Sequence, residues 1–595
     1  MQTDSLTAAV RARVTRRVFL GGAAGAASAA ILAACGGNPD VNTPTAAPVA
    51  ATTGANTTGA STAGAASAAV PPTAKPNAPA TSTPQASSNS TAAASANETP
   101  QPGGRLIIAD AQADNPLDPF KTSWHSTAQF LVFTAYVSKA PDLSYVPYTF
   151  DSWQISPDSK EVTFKIKQGI KNSDGTAVDA ASLKFIIDRL VDPQRKAPGA
   201  SAFGALKSAT VIDNATLKLS YDAPYAPLFN NLTGSEVSSM AAVQKYGDDF
   251  TNHPVGPGPY LVKDQIPGNS IVYDRNPDYN WPPPFYKNRG PAYLDGITMK
   301  IIKEDATTWA ALKAGEVHIA PIPTTYIKEA DTNQDITVIK QLDTGIRYLG
   351  MNCSKPPFND PLVRQAVSHA IDRDSIVANA LDGYGQTIYT PLAAAIAFSD
   401  NEGMKKISYL FDPAMAKQKL TQAGYDLSSG MATKGGQPFE VTLLANNTDF
   451  FKRAAQIVQS QLKDVGIKVN IQVTEGTALN DATVAGTHQM FLQLYGSTDP
   501  SIMFYFFDSS RIKATNRAWY SSPELDALLE QGQAELDPAK QKDIYEKVQQ
   551  MVVQASPWVT ICNPYVFTGV RKEVRGFQVH PQGTYLLHDT WMAKK

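Results

Sequence analysis

The alternation of apolar and polar positions along the chain predicts a protein of mixed strands and helices. Apolar residues occupy every second position in 162–167 and again in 467–473, which is the period of a half-buried strand. Apolar residues recur at helical spacing in 183–190 and in 452–465. The second of these helices ends at Gly466 and leads directly into the next strand. Helices that alternate with strands in this way are typical of the α/β class.

The stretch 254–281 predicts a β-hairpin with a stiff entry. Its opening PVGPGPY alternates glycines with prolines, which restricts the backbone to a closely shaped loop. The loop leads into a short strand at 260–262, and a Pro-Gly pair then marks a turn. A second strand follows, with Ile271 and Tyr273 predicted on one face.

Composition divides the 595 residues into segments of different character. Residues 36–102 are almost entirely Ala, Thr, Ser, Pro, Gly and Asn, so we expect a disordered tether of roughly 45 Å root-mean-square length. A glycosylated stalk is the alternative interpretation. Residues 103–595 are too long for a single core, which predicts at least two lobes. The net charge of −2 gives no indication of a basic surface for nucleic acid. Separately, we expect the protein to be a monomer.

The first 35 residues are predicted to be an export signal. Residues 15–20 match the twin-arginine pattern, although export by the Tat or the Sec route stays open. The small apolar run that follows is too short to span a membrane comfortably. It ends in Leu-Ala-Ala-Cys, which resembles a bacterial lipobox. That resemblance implies that Cys35 is lipidated and anchors the protein at the outer face of the cytoplasmic membrane, on the periplasmic or extracellular side.

Three stretches resemble the extracellular solute-binding proteins of family 5, the oligopeptide, dipeptide and nickel receptors of ABC importers. They are 153–193, 345–370 and 254–281, the last of which matches the signature GTGPY…PG…NPxYW with Pro257 in place of Thr. The resemblance implies an α/β, two-lobed periplasmic-binding-protein type II fold with an extra subdomain in the first lobe. It places lobe I at 103–345 and 563–595, with the inserted subdomain at about 151–250. Lobe II is then 346–562.

The motifs favour binding over catalysis. The sequence contains no metalloprotease, phosphate-loop, serine-hydrolase or dinucleotide motif, so we expect neither an enzyme nor a metal or other cofactor. A glycosidase-like enzyme of the cell envelope is the remote alternative. The resemblance implies a receptor that closes its lobes on a solute and delivers it to an ABC permease and its ATPase subunits. The candidate ligand-binding residues are Trp124, Tyr260, Tyr384, Gln493, Tyr495 and Asp499.

The nature of the solute depends on the segment 493–500. It resembles the family pattern W..D..DP, in which the first Asp holds the α-amino group of a peptide. Alignment on Asp499 puts Gly496 where that Asp belongs and Gln493 where the Trp belongs. A buried ammonium without its carboxylate is costly, whereas an oligosaccharide needs no anionic anchor. An oligopeptide is therefore the first hypothesis, and an oligosaccharide or other non-peptide solute is its rival.

Two further expectations concern single side chains. Cys353 and Cys562 lie at the ends of predicted strands, beside the two points near residues 345 and 562 where the chain passes between the predicted lobes. We therefore expect the two cysteines to be neighbours. A disulfide and a buried pair of thiols are both open for them. Arg364 lies in a helix predicted over 361–377. It is expected to form an ion pair with one of two nearby aspartates, Asp360 or Asp372, with a ligand contact as the alternative.

Overall fold

The computed structural model describes residues 98–122 and 126–594, which form a large mixed sheet, smaller sheets and covering helices. The predicted export signal, the predicted lipidation site Cys35, the predicted tether up to residue 97 and the candidate Trp124 lie outside the described residues. The α-helices are Thr127–Val132, Ala180–Val191, Leu228–Leu232, Met240–Tyr246, Asp305–Ala314, Ile327–Ala330, Pro361–Ala370, Arg373–Ala380, Asn401–Ile407, Pro413–Gln422, Asp449–Asp464, Gly476–Val484, Ile502–Phe507, Pro523–Ala534 and Pro538–Ala555.

The large sheet contains twelve strands and extends through both lobes. Its hydrogen-bonded order is Tyr260–Ile266, Ser270–Arg275, Gly296–Lys300, Arg105–Ala109, Ile319–Pro321, Trp558–Arg571, Gly345–Met351, Met490–Gly496, Glu440–Asn446 and Lys468–Thr474, with Ile336–Leu342 and Gly385–Thr387 also paired to Trp558–Arg571. Parallel pairs lie within each lobe, and the strands at the centre pair antiparallel. This mixture of parallel strands and helices gives the predicted α/β class.

A single strand, Trp558–Arg571, connects the two lobes. Its first half pairs with Gly345–Met351, and its second half pairs with Ile336–Leu342. Asn563 lies at the midpoint, is fully buried and donates from its amide nitrogen to the carbonyls of Asp343 and Gly345, at 2.8 and 2.7 Å. These bonds hold side by side the two segments that pass between the lobes, at the lobe boundaries predicted near residues 345 and 562.

The apolar cores divide on either side of these crossings. The clusters of lobe I contain residues up to 339 and again from 567 onward, together with partly buried neighbours. The clusters of lobe II contain residues 346–562. A separate antiparallel sheet, ordered Phe150–Ile155, Glu161–Ile166, Thr216–Tyr221 and Leu206–Asp213, lies in the predicted subdomain and is covered by Ala180–Val191.

The hairpin predicted at 254–281 forms as expected, with Ile271 and Tyr273 buried. Its entry is tight, because a Cβ on Gly258 would lie 2.3 Å from the carbonyl carbon of Val132. The Gly258 amide donates to the Val132 carbonyl at 2.8 Å. Trp281 donates from its indole nitrogen to the carbonyl of Pro257, which lies between Gly256 and Gly258, at 2.9 Å. The glycine is therefore required by close backbone approach in this loop.

The prediction of one helix over 361–377 is wrong. The structure has two helices, Pro361–Ala370 and Arg373–Ala380, with extended backbone at Ile371 between them. The carboxylate of Asp372 accepts a hydrogen bond from the amide of Ser375 and caps the second helix. Such a local cap competes with continuation of the first helix.

The expected ion pair of Arg364 is also wrong. The buried guanidinium donates to two backbone carbonyls, those of Phe358 at 2.8 Å and Ala555 at 2.9 Å. These carbonyls satisfy the cation without burying a second charge.

The two cysteines are not neighbours, and both are free thiols. Cys562 lies opposite Arg347 in the sheet, whereas Cys353 lies beyond the far end of the Gly345–Met351 strand. At about 3.3 Å per residue the two are roughly 20 Å apart, far beyond the reach of a disulfide.

Candidate functional site

Lobe I and lobe II enclose a cleft of about 810 Å³. Its size falls within the range of sites that hold small solutes, roughly 300–1,000 Å³. Most side chains around it are small, polar and uncharged. These are Thr122, Ser201, Asn230, Asn231, Thr233, Ser235, Thr344, Ser497, Thr498, Gln582 and Thr584. A wall of hydroxyl and amide groups can exchange hydrogen bonds with a solute at many points.

On lobe I, part of the wall comes from the short helix Leu228–Leu232. Its two leucines are fully buried, so the helix packs its apolar side into the core and leaves Asn230 and Asn231 at the cleft. The Asn231 amide nitrogen donates to the Ala202 carbonyl at 3.1 Å. The orientation of these amides is thereby fixed before any solute arrives.

On lobe II, the wall is the end of the strand Met490–Gly496. Gly496 pairs with Gly345, and a Cβ on Gly345 would lie 2.5 Å from the Tyr495 carbonyl oxygen, so the strands approach closely there. Gly496 differs, because a Cβ placed on it would meet only the Thr344 hydroxyl, at 3.7 Å. The backbone at Gly496 is exposed and its side-chain direction is open space.

Three charged side chains line the cleft: Glu236, Asp343 and Arg347. The Arg347 guanidinium lies 3.5 Å from the Asp343 carboxylate, and the two side chains are 18% and 30% exposed. A long and partly hydrated pair of this kind contributes little to stability. A solute that carries opposite charges can therefore meet both groups at small cost. Glu236 is also buried. The pKa of Tyr136 is raised, first by the burial of Tyr136 and second by the negative charge of Glu236.

The two lobes touch at one end of the cleft, where lobe I side chains hold the backbone of Thr498. Lys139 donates from its ammonium to the Asn230 side-chain oxygen at 2.5 Å and to the Thr498 carbonyl at 3.4 Å. Gln582 donates to the same carbonyl at 3.1 Å. Burial lowers the pKa of Lys139 to about 8, and the negative charge of Asp499 opposes this shift. The described conformation is thus one in which the lobes are in contact.

Of the candidate residues on segment 493–499, the structure brings Tyr495 to the cleft wall. Its ring packs on Phe506, with centroids 5.0 Å apart, and its hydroxyl donates to the Pro391 carbonyl. Gln493 is buried, and its amide nitrogen donates to the Asn480 side chain at 3.1 Å. Asp499 accepts from the Ser501 amide at 2.8 Å; burial raises the pKa of Asp499, against hydrogen bonds to Ser501 and the charge of Lys139. Neither Gln493 nor Asp499 is among the residues that line the cleft.

The other two described candidates lie apart from the cleft. Tyr260 is buried in lobe I, where it lines a smaller cavity. Tyr384 packs edge-on against Phe567, with ring centroids 5.3 Å apart, and lies partly buried against a core cluster of lobe I. Packing beside the strand that connects the lobes accounts for an aromatic residue at position 384, and no ligand contact is needed to explain it.

Several lining residues were not identified from the sequence. Asn230, Asn231 and Ser235 belong to the polar run NNLTGSE, which begins inside the short helix Leu228–Leu232 and continues beyond its end. Arg347 lies in a strand whose pattern predicts only burial. The available signal was a run of small polar residues without helical or strand period, which is common in surface loops as well.

Among residues 98–122 and 126–594, no three His, Cys, Asp or Glu side chains are grouped so that they could hold a metal ion. No helix in the same part of the chain is both long and apolar enough to cross a membrane.

Comparison with known families finds one profile that matches the chain over residues 144–515. It is described as "Bacterial extracellular solute-binding proteins, family 5 Middle". Among curated proteins, the glutathione-binding protein GsiB of Pectobacterium atrosepticum is 27% identical over 499 residues, which cover 81% of this chain and 93% of that protein. GsiB of Escherichia coli K12 is 27% identical over 453 residues, covering 74% of this chain and 84% of that protein.

Solved structures of similar fold cover most of the chain. The oligopeptide-binding protein AppA of Bacillus subtilis, in complex with a nonapeptide, is 24% identical with a TM-score of 0.62, covering 83% of this chain and all of that one. NikA of Brucella suis, in complex with Fe(III)-EDTA, is 23% identical with a TM-score of 0.70, covering 82% of this chain and 100% of that one. At these identities the likeness establishes the fold, which is that of type II periplasmic binding proteins.

Proposed function

The chain belongs to the bacterial extracellular solute-binding proteins of family 5, the receptors of ABC importers, and we propose that its solute is a short oligopeptide. It is a binding protein rather than an enzyme, as are its named relatives. In this proposal the protein captures the peptide in the cleft between the lobes and delivers it to an ABC permease and its ATPase subunits. It acts as a monomer.

The observation that carries the proposal is the chemistry of the cleft wall. A peptide presents amide groups along its length and opposite charges at its ends. The wall presents hydroxyl and amide side chains along its length and the adjacent charges of Asp343 and Arg347 at the crossing of the chain. Arg347 offers a planar pair of donors that suits a terminal carboxylate. Asp343 supplies a carboxylate for an ammonium, in place of the one missing at Gly496.

The rival solute, an oligosaccharide, finds less support in the described part of the wall. Sugar rings bind to the flat faces of aromatic side chains, and the lining residues include two such rings, Phe130 and Tyr495. The ring of Tyr495 packs against Phe506 and Trp558, with centroids 5.0 and 6.1 Å away, so its faces are largely used by the core. The wall thus favours hydrogen bonds over stacking.

The test compares one peptide, its C-terminal amide and one glycan. Thermal shift and calorimetry with Ala-Ala-Ala should show binding, because a ligand of the native state raises stability by mass action. We expect its C-terminal amide to bind about tenfold more weakly, the loss of one charged hydrogen bond. Arg347→Gln should weaken the free peptide by a similar factor and leave the amide almost unaffected, since both changes remove the same contact.

The matched control is Arg453→Gln, which removes an exposed arginine paired with Asp382 at 3.2 Å on the outside of lobe II. It should change neither affinity. Equal losses in the two arginine variants would contradict the proposed carboxylate contact. A rise in melting temperature with maltotriose and none with Ala-Ala-Ala would contradict the peptide proposal and support an oligosaccharide as the solute.

We also propose that Cys35 carries a lipid that holds the receptor at the membrane. The support is the lipobox-like sequence before Cys35, which lies outside the described residues. Fractionation of cells that express Cys35→Ala should move the protein from the membrane to the soluble fraction. Retention at the membrane to the wild-type extent would exclude the lipid as the anchor.

A further inference from the structure

A small cavity lies inside lobe II, bounded in part by the start of the helix Arg373–Ala380, the end of the helix Pro538–Ala555 and the start of the strand Trp558–Arg571. It measures about 20 Å³. One water molecule needs roughly 10–15 Å³, so this cavity has room for a single guest of about that size and none for a peptide or a sugar. Among the described residues, none lines both this cavity and the cleft, so the two spaces are separate.

A buried arginine lines this cavity. Arg373 is 7% exposed. Its Nε donates to the Thr560 carbonyl at 2.7 Å, and its Nη1 lies 3.4 Å from the Tyr409 carbonyl. Nη2 has no partner in the described part of the chain and still has accessible surface. Because a guanidinium carries five N–H groups, three of them are available to a guest.

The guanidinium of Arg373 has no carboxylate partner. No Asp or Glu lines the cavity, and within residues 98–122 and 126–594 none forms an ion pair with Arg373. Its neighbour Asp374 acts on it only at longer range and accepts a hydrogen bond from the Thr387 hydroxyl. Burial lowers the pKa of Arg373 to about 10, against the opposing effects of Tyr389 and Asp374, so the guanidinium is charged at pH 7. A buried cation without a counter-charge is costly.

Another buried arginine of lobe II provides a comparison. Arg364 is 6% exposed and donates to two carbonyls, at 2.8 and 2.9 Å. It is not among the residues that line the cavity. Arg373 has one contact of that length, and the second is long. Backbone carbonyls therefore account for the burial of Arg364 more fully than for that of Arg373.

Two serine hydroxyls supply a further donor. Ser368 and Ser556 are each 2% exposed, line the same cavity and are hydrogen-bonded to each other. The pair has two protons and uses one of them in this bond, so one hydroxyl proton has no acceptor in the described part of the chain. A guest that only accepts hydrogen bonds complements these groups. A water molecule must also place two protons of its own, whereas a halide places none.

We propose that this cavity binds one chloride ion, held by the guanidinium of Arg373 and by a hydroxyl of the pair Ser368 and Ser556. Chloride supplies the missing counter-charge, accepts hydrogen bonds from several directions and needs space for one atom. Bound there, it lies beside the strand that connects the lobes and stabilises the native state of lobe II. This inference does not depend on which solute the cleft binds.

The first experiment locates the ion in crystals of the full chain soaked in sodium bromide. Bromide replaces chloride and is identified by its anomalous scattering. We expect an anomalous peak in the cavity, within hydrogen-bond distance of the Arg373 guanidinium and of a serine oxygen, and no peak beside Arg364. Peaks at exposed surface positions alone would mean an adventitious ion only and would overturn the inference. Density in the cavity without an anomalous signal would identify a water molecule and overturn it equally.

The second experiment measures urea unfolding as chloride rises from about 1 mM to about 100 mM, with sodium gluconate holding the ionic strength constant. Gluconate is too large for the cavity. A ligand that binds only the native state raises the folding equilibrium constant in proportion to its concentration once this exceeds the dissociation constant. We therefore expect about a tenfold rise in the folding equilibrium constant for each tenfold rise in chloride. A folding equilibrium constant that does not change with chloride would overturn the inference.

Variants assign the chloride effect to this cavity. Arg373→Met should abolish the chloride dependence, whereas Arg453→Met, at an exposed arginine of the same lobe, should keep it. If Arg373→Met does not fold, the double variant Ser368→Ala and Ser556→Ala keeps the cation and removes the hydroxyl donors. It should weaken chloride about tenfold, the worth of one hydrogen bond to a charged group. An unchanged chloride dependence in either variant would place the effect elsewhere in the protein and contradict the proposal.

Discussion

Lys139 is a buried cation at the contact between the lobes, and its replacement by methionine should change how stability depends on pH. The side chain is 7% exposed and meets Asn230 and Thr498 through its ammonium. Burial lowers its pKa from 10.5 to about 8, with Asp499 acting in the opposite direction. Lys139→Met removes the charge and keeps an unbranched side chain that is one atom shorter.

The magnitude follows from the shift. The difference between a pKa of 10.5 and one of about 8 corresponds to about 3 kcal/mol. Because the folded pKa lies below the unfolded value, the unfolded chain binds more protons between about pH 8 and pH 10.5, so stability rises with pH in this window. Below about pH 8 the full cost of burying the cation is present. Above about pH 10.5 the Lys139 amine is neutral in both states and the cost is gone.

Other groups that face Lys139 do not titrate in this window. His580, beside it, has a pKa lowered by burial from 6.5, so it changes charge at more acidic pH. The pKa of Tyr145, whose ring lies 5.2 Å from the ammonium, is raised well above 10 by burial. Asp499 also has a raised pKa, from 3.8. Cys353 and Cys562 titrate at alkaline pH, but they are common to both proteins and cancel in the comparison.

The assay is urea unfolding of the wild type and of Lys139→Met at pH 7.5 and pH 9.5. Integration of the linkage relation gives a gain of about 2 kcal/mol for the wild type relative to the variant across this interval. Lys417→Met, at an exposed lysine of the helix Pro413–Gln422, is the control and should show the wild-type dependence. Identical pH dependence in the wild type and Lys139→Met would refute a buried, perturbed lysine at the lobe contact.

Three further changes test the fold. Gly258→Ala places a Cβ 2.3 Å from the Val132 carbonyl carbon and should destabilise by more than about 3 kcal/mol in urea unfolding, whereas Gly268→Ala, at φ +70° in open space, should cost about 1 kcal/mol. Asn563→Ala leaves two carbonyls without their donor and should cost about 2–4 kcal/mol by the same assay. Burial raises the pKa of both Cys353 and Cys562 to about 12, so iodoacetamide at pH 8 should modify neither in the folded protein and both in denaturant, as read by intact mass.

Local patterns predicted the elements of the fold well. The hairpin in 254–281 and the helix Ala180–Val191 follow from turn residues, an Asp179 cap and apolar spacing that act within a few neighbouring residues. The break between Pro361–Ala370 and Arg373–Ala380 was missed because the apolar spacing continues across it, while the cap at Asp372 interrupts the backbone. A competing side-chain bond of this kind is visible in the sequence only as one more polar residue.

The site was harder to predict, because its residues meet through the tertiary arrangement of the lobes. The sequence predicts aromatic residues as ligand contacts. In the structure, Tyr384 packs against a core cluster, and most of the Tyr495 ring packs against other residues of lobe II. The amides that do line the cleft, such as Asn230, come from the helix Leu228–Leu232, which is too short to give a periodic signal. Apolar and aromatic residues in a sequence indicate burial. The sequence pattern is the same whether such a residue is buried in the core or covered by a bound ligand.

Gly496 shows how the sequence can still inform about the solute. The resemblance expects a carboxylate there, and the structure has open space beside Thr344 at that point. A glycine in open space is not required by packing, so the missing carboxylate is a property of the binding surface rather than a consequence of the fold. One carboxylate on the cleft wall is that of Asp343, which already lies beside Arg347 at the crossing between the lobes. An ammonium bound there competes with a weak internal pair, which costs less than burial of an unpartnered charge. Recognition of a charged solute in this cleft is therefore tied to the strand crossing itself, where a contact with the solute also bears on the angle between the lobes.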